Sequence, residues 1–155
     1  MKACFAGHRN IIAEELPELK HRLEENIEVI IQEGVDIFLC GGAIGFDMLA
    51  GSTVLLFKKR YPHIKLILIL PCREQDSVWS ENYKADYRKL LVAADKVIYV
   101  SEKYYDGCMK KRNIHLVKNS EFCIAYHKHP KARGGAGQMM RFAKEKGMAI
   151  LNLAY

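Results

Sequence analysis

Two glycine-rich segments are the first features of the 155-residue chain that point to chemistry. The first runs Gly41-Gly42-Ala43-Ile44-Gly45 after an apolar stretch, and the second runs Gly134-Gly135-Ala136-Gly137. Glycine lets the backbone turn sharply, so a ligand can approach bare N–H groups. The first turn of a following helix, with its positive dipole end, favours an anion. The pattern predicts two turns that hold two parts of one phosphorylated ligand, for instance a phosphate and a sugar, unless the glycines serve only tight packing between strand and helix.

Polar side chains suited to anion or nucleotide recognition follow other predicted strands. Arginine binds a phosphate or carboxylate through two parallel hydrogen bonds. Trp79 either stacks on a base or packs in the core, and His8 is either a proton donor or only a hydrogen-bond donor. Asp47, in the first turn of a helix, either caps that helix or binds a ribose hydroxyl. The predicted ligand-binding residues, with no catalytic residue assigned, are Gly7, His8, Arg9, Gly41, Gly42, Gly45, Asp47, Gln75, Trp79, Arg112, Asn113, Gly134, Gly135 and Gly137.

No metal, cofactor or reactive thiol is predicted. The five cysteines are far apart and form no Cys-x-x-Cys pair, which argues against a disulfide framework or a zinc site. Three of them lie in or beside apolar runs and are expected to be small buried hydrophobes: Cys4, Cys40 and Cys123. His127 and His129 have no carboxylate or cysteine at ligand spacing, so we expect them in a solvated basic loop at 127–133. Signatures of P-loops, esterase elbows and zinc proteases are absent from the sequence.

Apolar periodicity predicts strands that alternate with helices along the chain. The expected strands are 2–6, 35–40, 65–70, 96–100, 121–126 and 148–153, and the expected helices are 17–33, 46–60, 82–94, 108–119 and 138–146. The unbroken apolar run at 65–70 is expected to be a central strand. This alternation predicts one three-layer, Rossmann-like α/β domain over residues 1–155, with a mainly parallel sheet of about six strands and helices on both faces. Its ligand crevice is expected at the carboxyl ends of the strands.

Charge and hydropathy narrow the class of partner. The formal charge is +6 and the pI is near 9.0, but the basic residues are spread along the chain without an aromatic-interleaved ribbon. That pattern supports only a modest preference for anions, and nucleic acid is a less favoured partner than a small molecule. No apolar run approaches the roughly 18–20 residues that span a membrane, and no signal peptide is evident. We therefore expect a cytoplasmic protein with no membrane partner.

Taken in order, these segments resemble the SLOG (SMF/DprA–LOG) superfamily, and most of all its YpsA-like branch. The resemblance rests on Ala6-Gly7-His8-Arg9, the segment Gly41 to Asp47, Pro71-x-x-x-Gln75-x-x-x-Trp79, Arg112-Asn113 and Gly134-Gly135-x-Gly137. It implies a Rossmann-like fold that binds nucleotides or their derivatives. Some members bind single-stranded DNA, others cleave the N-glycosidic bond of nucleoside monophosphates, and others sense ADP-ribose-type signals. Related folds often pair through helices, so a homo-oligomer is expected.

The last glycine segment departs from the phosphoribohydrolase members, which resemble Pro-Gly-Gly-x-Gly-Thr-x-Glu-Glu there. Met140 and Arg141 stand at the two glutamate positions, and Lys118 stands where relatives often carry an acid. N-glycosidic cleavage passes through a cationic sugar that needs a nearby carboxylate, which Arg141 would oppose. Asp47 or Asp106 are the remaining substitutes. We therefore predict a sensor or sequestering protein for a nucleotide-derived small molecule, in preference to an N-glycosidase or a single-stranded DNA binder.

Overall fold

Six strands form one all-parallel sheet in the computed structural model, which describes residues 1–129 and 134–154. The strands are β1 (Lys2–Gly7), β2 (Ile37–Cys40), β3 (Lys65–Leu70), β4 (Lys96–Tyr99), β5 (Phe122–Tyr126) and β6 (Ala149–Asn152). The helices are α1 (Leu16–Gln32), α2 (Phe46–Arg60), α3 (Glu81–Ala93), α4 (Cys108–Lys118) and α5 (Gly135–Lys146), with a short 3₁₀ turn at Ala13–Glu15. The predicted Rossmann-like α/β architecture is confirmed.

The strands lie in the order β4-β3-β2-β1-β5-β6, so the side on which successive strands are added changes once, between β1 and β5. Strands β1 to β4 are added successively on one side, whereas β5 pairs with the free edge of β1. Open parallel sheets bind ligands at such a reversal, outside the carboxyl ends of the strands. β3 is not the central strand that we expected, since it lies one position from the β4 edge. Its apolar run shows that both faces are covered, but not how many strands lie beyond it.

Helices cover both faces of the sheet. On one face α1, α2 and α3 pack against the sheet in a core that includes Phe5 and Phe38. On the other face α4 and α5 pack in a second core that includes Cys4, Leu39 and Cys123. Adjacent residues of one strand enter opposite cores because side chains alternate along a strand. All five cysteines are free and buried, as predicted for three of them.

The packing of α5 beside α4 fixes two elements that border the reversal. Lys146, in the last turn of α5, donates from Nζ to the carbonyl oxygens of Val117 at 2.9 Å, Lys118 at 3.1 Å and Ser120 at 2.5 Å. These carbonyls lie at the C-terminal end of α4, where a cation is favourable. Within residues 1–129 and 134–154, every helix is too short or too polar to cross a membrane.

Candidate ligand-binding site

A cavity of about 610 Å³ opens where the strand order reverses. Its wall is formed by the end of β1, the turns after β2, β3 and β4, and the N-terminal parts of α4 and α5. Nine of the predicted residues line it: Gly7, Arg9, Asp47, Gln75, Trp79, Arg112, Asn113, Gly134 and Gly135. Five do not: His8, Gly41, Gly42, Gly45 and Gly137. The volume lies within the range of small-molecule sites.

Arg112 on α4 is a buried cation in the cavity wall, with 5% of its surface exposed. Nη1 donates to the carbonyl oxygen of Gly41 at 2.7 Å, and Nε donates to Oδ1 of Asn113 at 3.0 Å. Asn113 in turn donates from Nδ2 to Oε1 of Gln138 on α5 at 3.0 Å. Nη2 has no hydrogen-bond partner among the residues that the structure describes. The guanidinium is therefore held on one side by the protein and retains donors for a ligand.

Asp47, in the first turn of α2, places a carboxylate in the same wall. Its Oδ2 accepts a hydrogen bond from the backbone N–H of Ala43 at 3.3 Å, so it caps the glycine turn and not the helix itself. Burial raises the pKa of Asp47 to about 6, although the Arg112 charge and the Ala43 N–H act to lower it. Whether Asp47 also binds a ribose hydroxyl stays a prediction at this point.

Asp47 is expected to make the unfolding free energy fall as pH rises from about 4 to 6. Its pKa rises from 3.8 to about 6 on folding, so the folded state binds this proton more tightly. The contribution is complete below pH 4 and is lost as pH rises through 6, on the order of 2–3 kcal/mol. Urea unfolding of the native protein and of Asp47→Asn at several pH values measures the difference, in which the other titrating groups cancel. A difference that stays constant from pH 4 to pH 7 would contradict the assignment.

The glycines of the first turn meet protein atoms and not the cavity. A side-chain carbon placed on Gly41 would lie 2.7 Å from Nη1 of Arg112. One placed on Gly42, which has φ +68°, would lie 3.0 Å from the Leu70 side chain. One placed on Gly45, at φ +90°, would lie 2.2 Å from a backbone oxygen. The tight-packing alternative therefore accounts for all three glycines.

The second glycine segment is open instead. Among the described residues, Gly134, with φ +103°, has no atom within 4 Å of a side-chain carbon placed on it, and Gly135 has only Nδ2 of Asn113 at 3.9 Å. α5 begins at Gly135, three residues before the predicted start at Gln138. Glycine is a poor helix former, which hid these residues from a periodicity analysis. The first turn of a helix nevertheless leaves its N–H groups without helical partners. Gly134 and Gly135 line the cavity, so the open N–H groups at the start of α5 border it.

Trp79 and Gln75 lie in the part of the cavity wall that is formed by the turn between β3 and α3. Trp79 is half-buried and packs edge-on against Tyr87, with ring centroids 5.0 Å apart, so it both packs and lines the cavity. Gln75 donates from Nε2 to the Tyr87 hydroxyl at 3.1 Å. Its Oε1 is buried and has no hydrogen-bond partner among the described residues. That oxygen is an acceptor without a donor at the edge of the cavity.

Several residues of the wall escaped the sequence analysis because they lie in turns without periodicity. They include Glu74, Ser77, Val78, Tyr104 and Met109. Val78 is 90% exposed and Tyr104 is 67% exposed, so apolar surface surrounds the cavity mouth. The aromatic pair Tyr104-Tyr105 in a polar stretch was the available signal. Gln138 was also missed, because its partner Asn113 is distant in sequence.

His8 faces away from the cavity. Its Nε2 accepts a hydrogen bond from the backbone N–H of Lys128 at 2.9 Å, and its ring lies 5.2 Å from that of His127. Burial lowers the pKa of His8, and the nearby His129 and Lys128 lower it further. In this arrangement Nε2 acts as an acceptor, so a donor role for His8 falls to Nδ1 and stays a prediction.

His127 is buried, with 1% of its surface exposed, which corrects the prediction of a solvated loop for this residue. The side chain of Asn152 explains the difference, because it bonds both backbone groups of His127 and fixes it beside β6. Residues 130–133 of the predicted loop lie outside the described residues. Within the described part of the chain, no three His, Cys, Asp or Glu side chains are arranged to hold a metal ion.

The two residues that stand at the glutamate positions do not lie in the cavity wall, where we expected them. Met140 is buried in the second core, and Arg141 is exposed and does not line the cavity. Arg141 is therefore not placed to oppose a sugar cation there. Asp106 is also exposed and outside the cavity wall, which leaves Asp47 of the two predicted substitutes, while Glu74 is a further carboxylate of the wall.

Comparison with known proteins identifies the family. Residues 8–154 match the YpsA (YspA SLOG) family. The chain belongs to this family. A relative of this SLOG chain is the uncharacterized SPbeta prophage-derived protein YoqJ of Bacillus subtilis (strain 168), 34% identical over 141 residues, which cover 83% of this chain and 81% of YoqJ. A UPF0398 protein of Halalkalibacterium halodurans is 31% identical over 130 residues, 83% of this chain and 68% of the relative.

A solved structure shares the fold of this SLOG chain. It is DNA processing protein A from Helicobacter pylori, whose structure was described for its single-stranded DNA binding mode. The TM-score is 0.67 with 19% sequence identity. The match covers 97% of this chain but 63% of that one, so the SLOG chain spans less than two thirds of its length.

Proposed function

We propose that this SLOG chain binds a phosphorylated, nucleotide-derived small molecule in the cavity, as a sensor or sequestering protein. The observation that carries the proposal is a buried arginine and a bare helix N-terminus on one cavity wall. Arg112 retains Nη2 for a ligand, and the first turn of α5 faces open space at Gly134 and Gly135. Charge-assisted hydrogen bonds and the helix dipole both favour an anion at this position.

Aromatic side chains supply the second part of the proposed site. Trp79 and Tyr104 both line the cavity, and Tyr104 is largely exposed at its mouth. Aromatic rings stack on every base, since each base presents a π-face. A phosphate at α5 and a base at these rings would occupy two parts of the same cavity. This arrangement favours a nucleotide over inorganic phosphate.

A second candidate function is cleavage of an N-glycosidic bond. Asp47 favours it, because its carboxylate lines the cavity. A carboxylate beside the sugar would stabilise the positive charge that develops during cleavage. Binding remains the preferred function, since it requires only the anion-binding and aromatic contacts described above and no catalytic group.

Calorimetric titration and thermal unfolding test the proposal with nucleoside monophosphates, ADP-ribose, cyclic nucleotides, inorganic phosphate and adenosine. A ligand at a hundred times its dissociation constant should raise the free energy of unfolding by about 2.7 kcal/mol. Gly135→Asp should remove binding by placing a carboxylate at the open helix N-terminus, while Gly135→Asn is the neutral control of similar shape. Both variants should fold, because the position is open and does not have positive φ.

Equal binding by Gly135→Asp and Gly135→Asn would contradict the proposed anion position. No response to any phosphorylated compound would contradict the proposed function itself. Affinity for a single-stranded oligonucleotide alone, falling steeply with salt, would favour the nucleic-acid alternative. Release of free base in the same incubations, detected by chromatography and lost in Asp47→Asn, would establish the second candidate.

A further inference from the structure

Hydrogen-bonding groups are distributed unevenly around the cavity. Donors lie toward α5, where the first-turn N–H groups are open. Acceptors lie beside the first glycine turn. Asp47 Oδ2, an acceptor, is 2.9 Å from a side-chain carbon placed on Gly41. The amide of Gln75, which carries the acceptor Oε1 beside the donor Nε2, lies near Gly42, with Nε2 3.7 Å from a side-chain carbon placed there. Arg112 links the two ends, since it contacts Gly41 directly and α5 through Asn113.

Two oxygens at the acceptor end have no donor among the described residues. Asp47 Oδ1 has no hydrogen bond, whereas Oδ2 accepts from Ala43. Oε1 of Gln75 is buried and also without a partner. A polar atom that is removed from water without a hydrogen bond, as Gln75 Oε1 is, is costly, whereas Asp47 Oδ1 is not fully buried and is an accessible acceptor. A ligand part that donates hydrogen bonds is therefore favoured here, and a phosphate is disfavoured beside the carboxylate.

The orientation of the Asp47 carboxylate is fixed before a ligand arrives. The Ala43 N–H holds Oδ2, and the neighbouring Arg112 favours the ionised form. An ionised carboxylate only accepts hydrogen bonds. Two hydroxyls on adjacent carbons match such a group because both can donate to it. In a nucleotide, this pair is the 2′,3′-diol of ribose.

We infer that Asp47 recognises the ribose 2′,3′-diol, so that the cavity selects ribonucleoside 5′-phosphates over their 2′-deoxy counterparts. The inference rests on the proposed function and adds the orientation of the ligand, with its phosphate toward α5 and its sugar toward Asp47. It also disfavours oligonucleotides, because a 3′-linkage removes one of the two hydroxyls. Single-stranded DNA lacks both.

Titration of matched ribonucleotide and 2′-deoxyribonucleotide pairs tests the inference: AMP with dAMP, GMP with dGMP, CMP with dCMP and UMP with dUMP. At pH 7.5 the ribonucleotide of a binding pair should bind at least about tenfold more tightly, since a hydrogen bond to a charged group is lost. In Asp47→Asn, which keeps the shape but loses the charge, this ratio should fall toward one. Asp106→Asn, at an exposed position outside the cavity, should retain it.

The possible outcomes separate the inference from the proposed function. Equal binding of both members of a pair by the native protein overturns the inference while the proposed function stands. Discrimination that persists in Asp47→Asn overturns the role of Asp47. Absence of binding by every pair and by ADP-ribose contradicts the proposed function, and the inference with it. The native protein alone decides the first outcome, so the test does not depend on the stability of the variant.

Discussion

Replacement of Arg112 by methionine is expected to lower the free energy of unfolding by about 3–5 kcal/mol. The variant leaves Oδ1 of Asn113 without its donor, and it leaves the carbonyl of Gly41 with only the long hydrogen bond from Gln75 Nε2 at 3.5 Å. It also leaves the carboxylate of Asp47 without the nearby positive charge that favours its ionised form. Buried groups deprived of their partners carry a desolvation cost that methionine cannot offset. Since domains are stable by only 5–15 kcal/mol, this change removes a large part of the total.

Urea unfolding at pH 7.5 measures the effect, with Lys111→Met as the control. Lys111 is the preceding residue on α4 and is exposed, so its replacement removes the same charge at a cost within about 0.5 kcal/mol. The double variant Asp47→Asn with Arg112→Met should be less destabilised than the sum of the single variants, because each single change leaves the other group unpaired. If Arg112→Met and Lys111→Met are equally stable, Arg112 does not hold the cavity wall together.

Gly45→Ala is expected to destabilise the protein by about 2–5 kcal/mol, which is enough to prevent folding if the native stability is modest. Gly45 has φ +90°, a conformation that costs an ordinary residue about 1–2 kcal/mol. The added carbon would lie 2.2 Å from the carbonyl oxygen of Arg9 and 2.6 Å from that of His8. The second carbonyl already accepts the N–H of Phe46. Backbone would have to move, and overpacking adds about 1–3 kcal/mol.

Gly134→Ala provides the matched control for the conformational part of this cost. Gly134 also has positive φ, at +103°, but no atom lies within 4 Å of the added carbon. Its replacement should therefore cost only the backbone contribution of about 1–2 kcal/mol. The difference between the two variants in thermal or urea unfolding isolates the close approach at Gly45. Equal destabilisation of the two variants would mean that the backbone before α2 shifts to accommodate the added carbon, which would contradict the predicted steric cost at Gly45.

The helices and strands were predictable to within about three residues because their signals are local. α2, for example, was predicted to end at Arg60 from the Tyr61-Pro62 pair that follows, and it ends there. The place of β3 in the sheet was not predictable, since strand order depends on contacts that its own sequence does not encode. Likewise, a glycine in the sequence indicates close approach but not what approaches it. At Gly41 it is Arg112, whereas at Gly134 the space is open.

The candidate site was predictable where polar residues follow strands, as with Arg9, Gln75 and Asp47. Arg112 and Asn113 were predicted among the polar residues that the fold brings to this edge of the sheet, and the structure adds the hydrogen bonds that hold them. The mouth of the cavity was not predictable, because Val78 and Tyr104 lie in turns whose path is set by the rest of the fold. His127 was placed in solvent for a similar reason, since the Asn152 contact that buries it joins two separate strands.

The pairing of β1 with β5 determines when the sheet and the cavity can be completed during synthesis. Ala3 of β1 is in register with Phe122 of β5. More than a hundred further residues must therefore be synthesised before β5 can pair with the free edge of β1. The cavity draws on both ends of that interval, from Phe5 at the start to Met139 in α5. A nascent chain therefore completes the wall of this cavity only after residue 139 has left the ribosomal tunnel, and shorter translation products lack part of that wall.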